Sequence, residues 1–268
     1  MAKDPIGSNM EWKKWGEIDP LFGVATHEGR EKGGRSPWTD EEFYALGKLH
    51  WDQFFAHWTK YRLDNDCCVE IGCGAGRLTR HLAKSFRTVH ALDVSEGMLA
   101  YARARIAESH VAFHLTDGVR IPLPDSCVSA VFSTHVFQHL DSLAHADACF
   151  AEAARVLKPG GTMMVHLPIY RWTVMPGVFA TIYHARKIVG DAVAWTRRLL
   201  LRIGIGRPLM RWLSYSEDYL FGSLSRLGFA DIELWIFCPL RDNRDRHPVV
   251  LARKEPSPGT QRSDLNSE

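Results

Sequence analysis

The chain has 268 residues, 46% of them hydrophobic and 24% charged, with a formal net charge of +2. That is enough to bury one large core with additions, and the composition is that of an ordinary soluble globular protein. The near-neutral balance gives no reason to expect nucleic acid, and no apolar run approaches the roughly 18 residues of a membrane-spanning helix. Met1 to Met10 lack the apolar block of a secretory leader, so a cytoplasmic location is expected. The six cysteines (Cys67, Cys68, Cys73, Cys127, Cys149 and Cys238) form no C-x-x-C pair. They read as reduced structural thiols, and no metal site is expected.

In chain order, residues 1–37 are polar and glycine-rich, punctuated by Trp12, Trp15, Pro20 and Phe22. This segment is expected to be partly mobile until something docks on it. Residues 39–61 predict a helix, capped by Thr39 or Asp40 with Glu41 and Glu42 in its first turn. Its aromatics (Phe43, Tyr44, Trp51, Phe54, Phe55, Trp58 and Tyr61) recur at helical spacing. They either pack against a sheet or make the helix a roof over a substrate pocket.

From about Cys67 to Leu167 strands and helices alternate. Val69-Glu70-Ile71 is a short apolar run broken by an acid. Glycine then stands at every second position (Gly72, Gly74, Gly76), followed by Arg77 and a helical pattern to Ser85. Glycine lets a ligand lie close to the main chain, and the following helix supplies free amides and a positive dipole end. The dinucleotide pattern G-x-G-x-x-G fails, because its third glycine would fall on Arg77. Thr88–Asp93 predicts a second strand ending in a carboxylate. In a doubly wound sheet, an acid about 20 residues beyond the glycine loop reaches ribose hydroxyls. Helix 96–107 follows, then a third strand from Val111 that ends at Asp117-Gly118. A buried fourth strand spans Cys127–Ser133 and leads into Thr134-His135-Val136-Phe137-Gln138-His139. After helix 143–157, Lys158-Pro159-Gly160-Gly161 stops the helix and starts a fifth strand, Met163–Leu167. The alternation means a mostly parallel sheet with helices on both faces, and a ligand crevice beyond the carboxyl ends of its strands.

Residues 169–214 interrupt this pattern. They are aromatic and basic, carrying Arg171, Arg186, Lys187, Arg197, Arg198, Arg202, Arg207 and Arg211 against Asp191. The stretch predicts a helical lid: a solvated cationic face, an attractor of anionic or amphipathic substrate, or a peripheral membrane contact. A helix capped by Ser216 follows. Ile232–Cys238 and Pro248–Arg253 then read as two antiparallel strands. The predicted organisation is an N-terminal segment and cap helix (1–62), a core with the lid inserted (63–254) and a disordered tail (255–268).

The E-x-G-x-G-x-G of Glu70 to Gly76 resembles motif I of the class I S-adenosylmethionine-dependent methyltransferases. Asp93, Asp117 and the Lys-Pro-Gly-Gly turn follow in that family's order, and Trp15-Gly16-Glu17-Ile18-Asp19-Pro20 resembles a leader of some bacterial members. One departure is Ser129, where the family often has an acid. The resemblance implies a Rossmann-like, doubly wound, seven-stranded α/β sheet with an antiparallel last strand. It is similar to the type 11 branch, which acts on small molecules. It implies S-adenosylmethionine contacts from Glu70, Gly72, Gly74, Gly76, Asp93, Val94, Met98, Asp117, Gly118 and Thr134, with Asp93 on the ribose and Asp117 on the adenine amino group. His135 and His139 stand beside the expected methyl position as candidate bases, with His166, His184 and Tyr170 behind them. The implied activity is methyl transfer to O, N or C of a small, anionic or amphipathic metabolite. A lipid or quinone methyltransferase at the membrane surface and a non-catalytic cofactor-binding partner stay open. No Asn-Pro-Pro-Tyr-like signature follows the fourth strand, which argues against RNA or protein acceptors. The oligomeric state is not legible.

Overall fold

The computed structural model describes residues 7–170, 213–237 and 247–256. The sheet comprises β1 (Cys67–Ile71), β2 (Thr88–Asp93), β3 (Val111–Leu115), β4 (Val128–Ser133), β5 (Leu157–His166), β8 (Phe229–Phe237) and β9 (His247–Lys254). Its order is β3-β2-β1-β4-β5-β9-β8. β1 runs parallel to both β2 and β4, β2 to β3 and β4 to β5, while β9 is antiparallel to β5 and β8. The order reverses between β1 and β4, and their carboxyl ends open the crevice of a doubly wound sheet. Two further short strands, β6 (Ile169–Tyr170) and β7 (Tyr215–Ser216), pair in parallel. They close the stem of the insertion, whose basic residues, with His184, lie outside the described residues.

β4 is buried along its whole length and β1 at its three central residues, as strands covered on both faces must be. The Lys-Pro-Gly-Gly turn is drawn into β5 as a bulge: Leu157 pairs with Val128, and the next pair is Thr162 with Ala130. Where the family often has an acid, the buried Ser129 hydroxyl accepts from the Cys67 amide at 2.9 Å and donates to the Asp64 carbonyl at 2.9 Å. It ties β4 to β1 and stays inside the sheet.

Helices α4 (Thr79–Ser85), α5 (Glu96–Arg103), α6 (Leu143–Val156) and α7 (Glu217–Arg226) follow the predicted periods, each shorter than its sequence pattern by a residue or more. α3 (Asp40–Lys60) starts on a capping box between Thr39 and Glu42. Its Trp51, Phe54 and Trp58 pack on the sheet against Phe132 and Met164, and the Trp58 indole donates to Thr162 Oγ1 at 2.9 Å. The same helix reaches the crevice with Leu46 and His50, so it is both sheet packing and roof.

The N-terminal segment is more ordered than its composition suggests. Residues 7–18 form α1 and 20–24 form α2, capped by Asp19. Trp15, Leu21 and Phe22 bury themselves against Phe43, Tyr44 and Met98. Close approach makes this possible: a side chain at Gly16 would come within 2.1 Å of Ser95 Oγ. α1 therefore crosses α5 at backbone distance, a contact that hydrophobic content alone does not announce.

Candidate active site

A cavity of about 1200 Å³ occupies the crevice. Its two ends are built differently.

The first end is backbone. Gly72, Gly74 and Gly76 all take positive φ (73°, 53° and 81°), which is why the loop needs glycine. The Gly74 amide donates to Asp93 Oδ2 at 2.8 Å and the Ser95 amide to Asp93 Oδ1 at 2.9 Å. Asp93 thus fastens the glycine loop to the start of α5. Burial nevertheless raises its carboxyl to about 6, against the lowering effect of those amides. Glu70 is buried and accepts from Thr79 Oγ1 at 2.6 Å; desolvation, with Asp93 nearby, raises it to about 7.

Glu70, Gly72, Gly74, Asp93, Val94, Met98, Gly118 and Thr134 all line the cavity. Gly76 and Asp117 do not. Gly76 faces Ile106 and Ala102, where it lets α5 close on the loop. The exposed Asp117 holds its own turn, accepting from the Val119 and Arg120 amides at 2.9 and 2.8 Å, while its carbonyl accepts from Asn9 Nδ2 at 2.6 Å. Thr116, Gly118 and Val119 form the wall beside it. α1 and α2 cover this end: a Cβ on Gly74 would lie 2.5 Å from Val24.

The second end is side chains. His135 follows β4, His166 ends β5, His247 opens β9 and His50 projects from α3. Ring centroids are 4.3 Å apart for His135 and His166, and 5.2 Å from His247 to each. His135 has φ of +58°, uncommon for a side-chain-bearing residue and a mark of local constraint. Burial lowers His50 and His166 to about 3 and His139 to about 4, and takes His135 well below its ordinary value. These imidazoles are neutral. His139 packs edge-on to Trp12 at 5.0 Å, on the α1 side.

Arg77 is buried beside His50, with Nη1 3.3 Å from His50 Nδ1, and burial lowers it only to about 10, so it stays charged. Its Nε, together with Thr134 Oγ1 and Gln138 Oε1, is buried without a partner among the described residues. All three residues line the cavity, so it offers donors and acceptors to a polar ligand.

Arg77, His50 and His247 were not singled out from the sequence. Arg77 was visible only as the residue that breaks the dinucleotide pattern. His247 had one signal: an antiparallel strand beside β5 must begin where β5 ends.

Fold and cavity define a doubly wound α/β protein with a cofactor-sized cleft at its switch point. The chain matches the family described as "Methyltransferase domain" over residues 69–165. It is 39% identical over 97 residues to a malonyl-(acyl-carrier protein) O-methyltransferase of Pectobacterium atrosepticum, covering 35% of this chain and 36% of that one. The match spans about a third of the length of such curated relatives. Among solved structures, the cyclase SpnF superposes with a TM-score of 0.58 at 18% identity, over 93% of this chain and 97% of that one. A methyltransferase of Methanosarcina mazei superposes with a TM-score of 0.56 at 17% identity, over 75% and 98%. Residues 69–165 are thus similar to a methyltransferase domain, and the fold around them is that of methyltransferase structures.

Proposed function

We propose that the chain is an S-adenosylmethionine-dependent methyltransferase whose acceptor is a small molecule with an anionic oxygen. The observation that carries this reading is the cavity itself: a glycine-loop end and an end that holds the charged Arg77 share one space. The first end fits the cofactor. Gly72 and Gly74 let it lie on the main chain, Asp93 and Glu70 offer acceptors, Val94 and Met98 offer apolar walls, and Thr134 offers an unpartnered hydroxyl. When bound, S-adenosylmethionine supplies an electrophilic methyl group.

The chain's own residues do the rest. The helices that line the cavity would hold the acceptor in line, which supplies most of what such a displacement needs. Arg77 attracts the anionic oxygen. The malonyl group in the name of the Pectobacterium relative is of that chemical kind. Burial makes His135 and His139 weak bases, which argues against the proton-abstracting role the sequence suggests for them. An oxygen that arrives ionised needs no base. Both histidines are assigned to shaping the acceptor end.

No helix among the described residues is long and apolar enough to cross a membrane. Cytoplasmic placement rests on composition and on the five free thiols there. The test is transfer of isotopically labelled methyl from S-adenosylmethionine to a panel of carboxylate, phenol and amine acceptors. Labelling confined to oxygen anions supports the reading, and labelling of amines alone overturns it.

A further inference from the structure

We infer that His135, His166 and His247 form a binding site for a divalent transition metal ion, of the zinc or cobalt class, in the wall of the acceptor end. The three residues come from three separate elements: the loop after β4, the last residue of β5 and the first residue of β9. Each offers a ring nitrogen, and the three ligand atoms lie within 4.8 Å of one another. Imidazole is the ligand these ions favour, and it binds in the neutral form. Three histidines with a fourth position open is the donor set of catalytic rather than structural zinc. A tetrahedral ion with Zn–N of about 2.0–2.1 Å would hold the nitrogens about 3.4 Å apart, so the rings must turn inward.

Two features bear on the site from outside. The His135 amide lies 3.3 Å from His166 Nδ1, a long hydrogen bond that ligation through that nitrogen would replace. Arg77 faces the same space through His50, and a second cation there is tolerated best when an anion sits between the two. All three histidines line the cavity, so the open coordination position faces the acceptor. The ion would anchor one acceptor oxygen while Arg77 balances the other. That role rests on the methyl-transfer reading; ion binding itself does not. The cysteine spacing gave no hint of such a site, because its ligands are histidines brought together only by the sheet.

The test uses the full chain without a histidine tag, stripped by chelator. Co2+ is titrated in and followed by its visible absorption, with Zn2+ competition and thermal melts alongside. One Co2+ per chain, displaced by Zn2+, is expected, with a melting temperature raised by Zn2+. His166→Ala and His247→Gln should each weaken binding by roughly 100-fold or more, since even outer partners of metal ligands are worth 10–100-fold. His114→Gln removes an imidazole from the His90–His114 pair at β2–β3 and should change nothing. Should His166→Ala fail to fold, His247→Gln, at a half-buried strand start, carries the test. Absence of cobalt absorption in the wild type, or binding indifferent to both variants, overturns the site. Neither readout involves the cofactor, so a failed metal site and a failed methyltransferase reading are distinguishable.

Discussion

The two ends of the cavity contrast in how they are made. The glycine-loop end is contiguous backbone, and its geometry follows from residue types over a dozen positions. The histidine end is assembled from α3, the β4 loop, β5 and β9, residues as far apart as His50 and His247. The first end is braced by the Asp93 carboxylate, which accepts from the Gly74 and Ser95 amides. Among the described residues the second is braced by no such bridge, and it consists of side chains on separate elements. On the proposed reading, the backbone end holds the cofactor and the side-chain end meets the acceptor.

Gly74→Val is expected to have the largest effect. A β-branched residue at φ of +53° costs about 1–2 kcal/mol in backbone strain, and overlap with Val24 adds a comparable overpacking cost. Binding of S-adenosylhomocysteine should become undetectable, while the chain still folds; unchanged affinity would mean the loop is not the ligand seat. Glu70→Gln comes next and separates the ends by pH. The folded Glu70 carboxyl titrates near 7, above the ordinary 4.5, so the folded state holds the proton more tightly than the unfolded chain. Its stabilising contribution is complete below about 4.5 and is lost as pH rises through 7. Melts from pH 4.5 to 8 should show wild type losing on the order of 3 kcal/mol relative to Glu70→Gln, at about 1.4 kcal/mol per unit. Parallel curves would refute the buried-acid account.

How much of this was legible follows the same division. β2 matched its predicted bounds, and the glycine loop, Asp93 and the Thr39 cap were visible, because strand alternation, glycine spacing and capping residues are local signals. Asp117 shows the limit: an Asp-Gly at a strand end reads equally as a ligand contact or as a turn, and here its carboxylate holds Val119 and Arg120. The packing of α1 and α2 depends on Gly16 meeting Ser95, and the histidine cluster on the β5–β9 pairing. Contacts between distant segments leave no periodic trace in sequence.

Two smaller effects sharpen the contrast. Trp58→Phe removes the indole bond to Thr162, neither residue lining the cavity, and should cost about 1–2 kcal/mol in denaturant melts without moving cofactor affinity. His139→Gln should leave the methyl-transfer rate within about tenfold and its pH profile the same shape as that of the wild type, whereas loss of a true general base costs 10²–10⁴-fold.

The central claim is that the Asp93-braced glycine loop binds S-adenosylmethionine. Calorimetric titration of S-adenosylmethionine and S-adenosylhomocysteine into the wild type and Asp93→Ala tests it most directly. The account predicts one site per chain in the wild type and an affinity lower by roughly 100-fold in the variant, as expected when a charged, buried hydrogen-bonding group is removed. Equal affinity in both proteins, or no binding to the wild type with acceptors present, would contradict it.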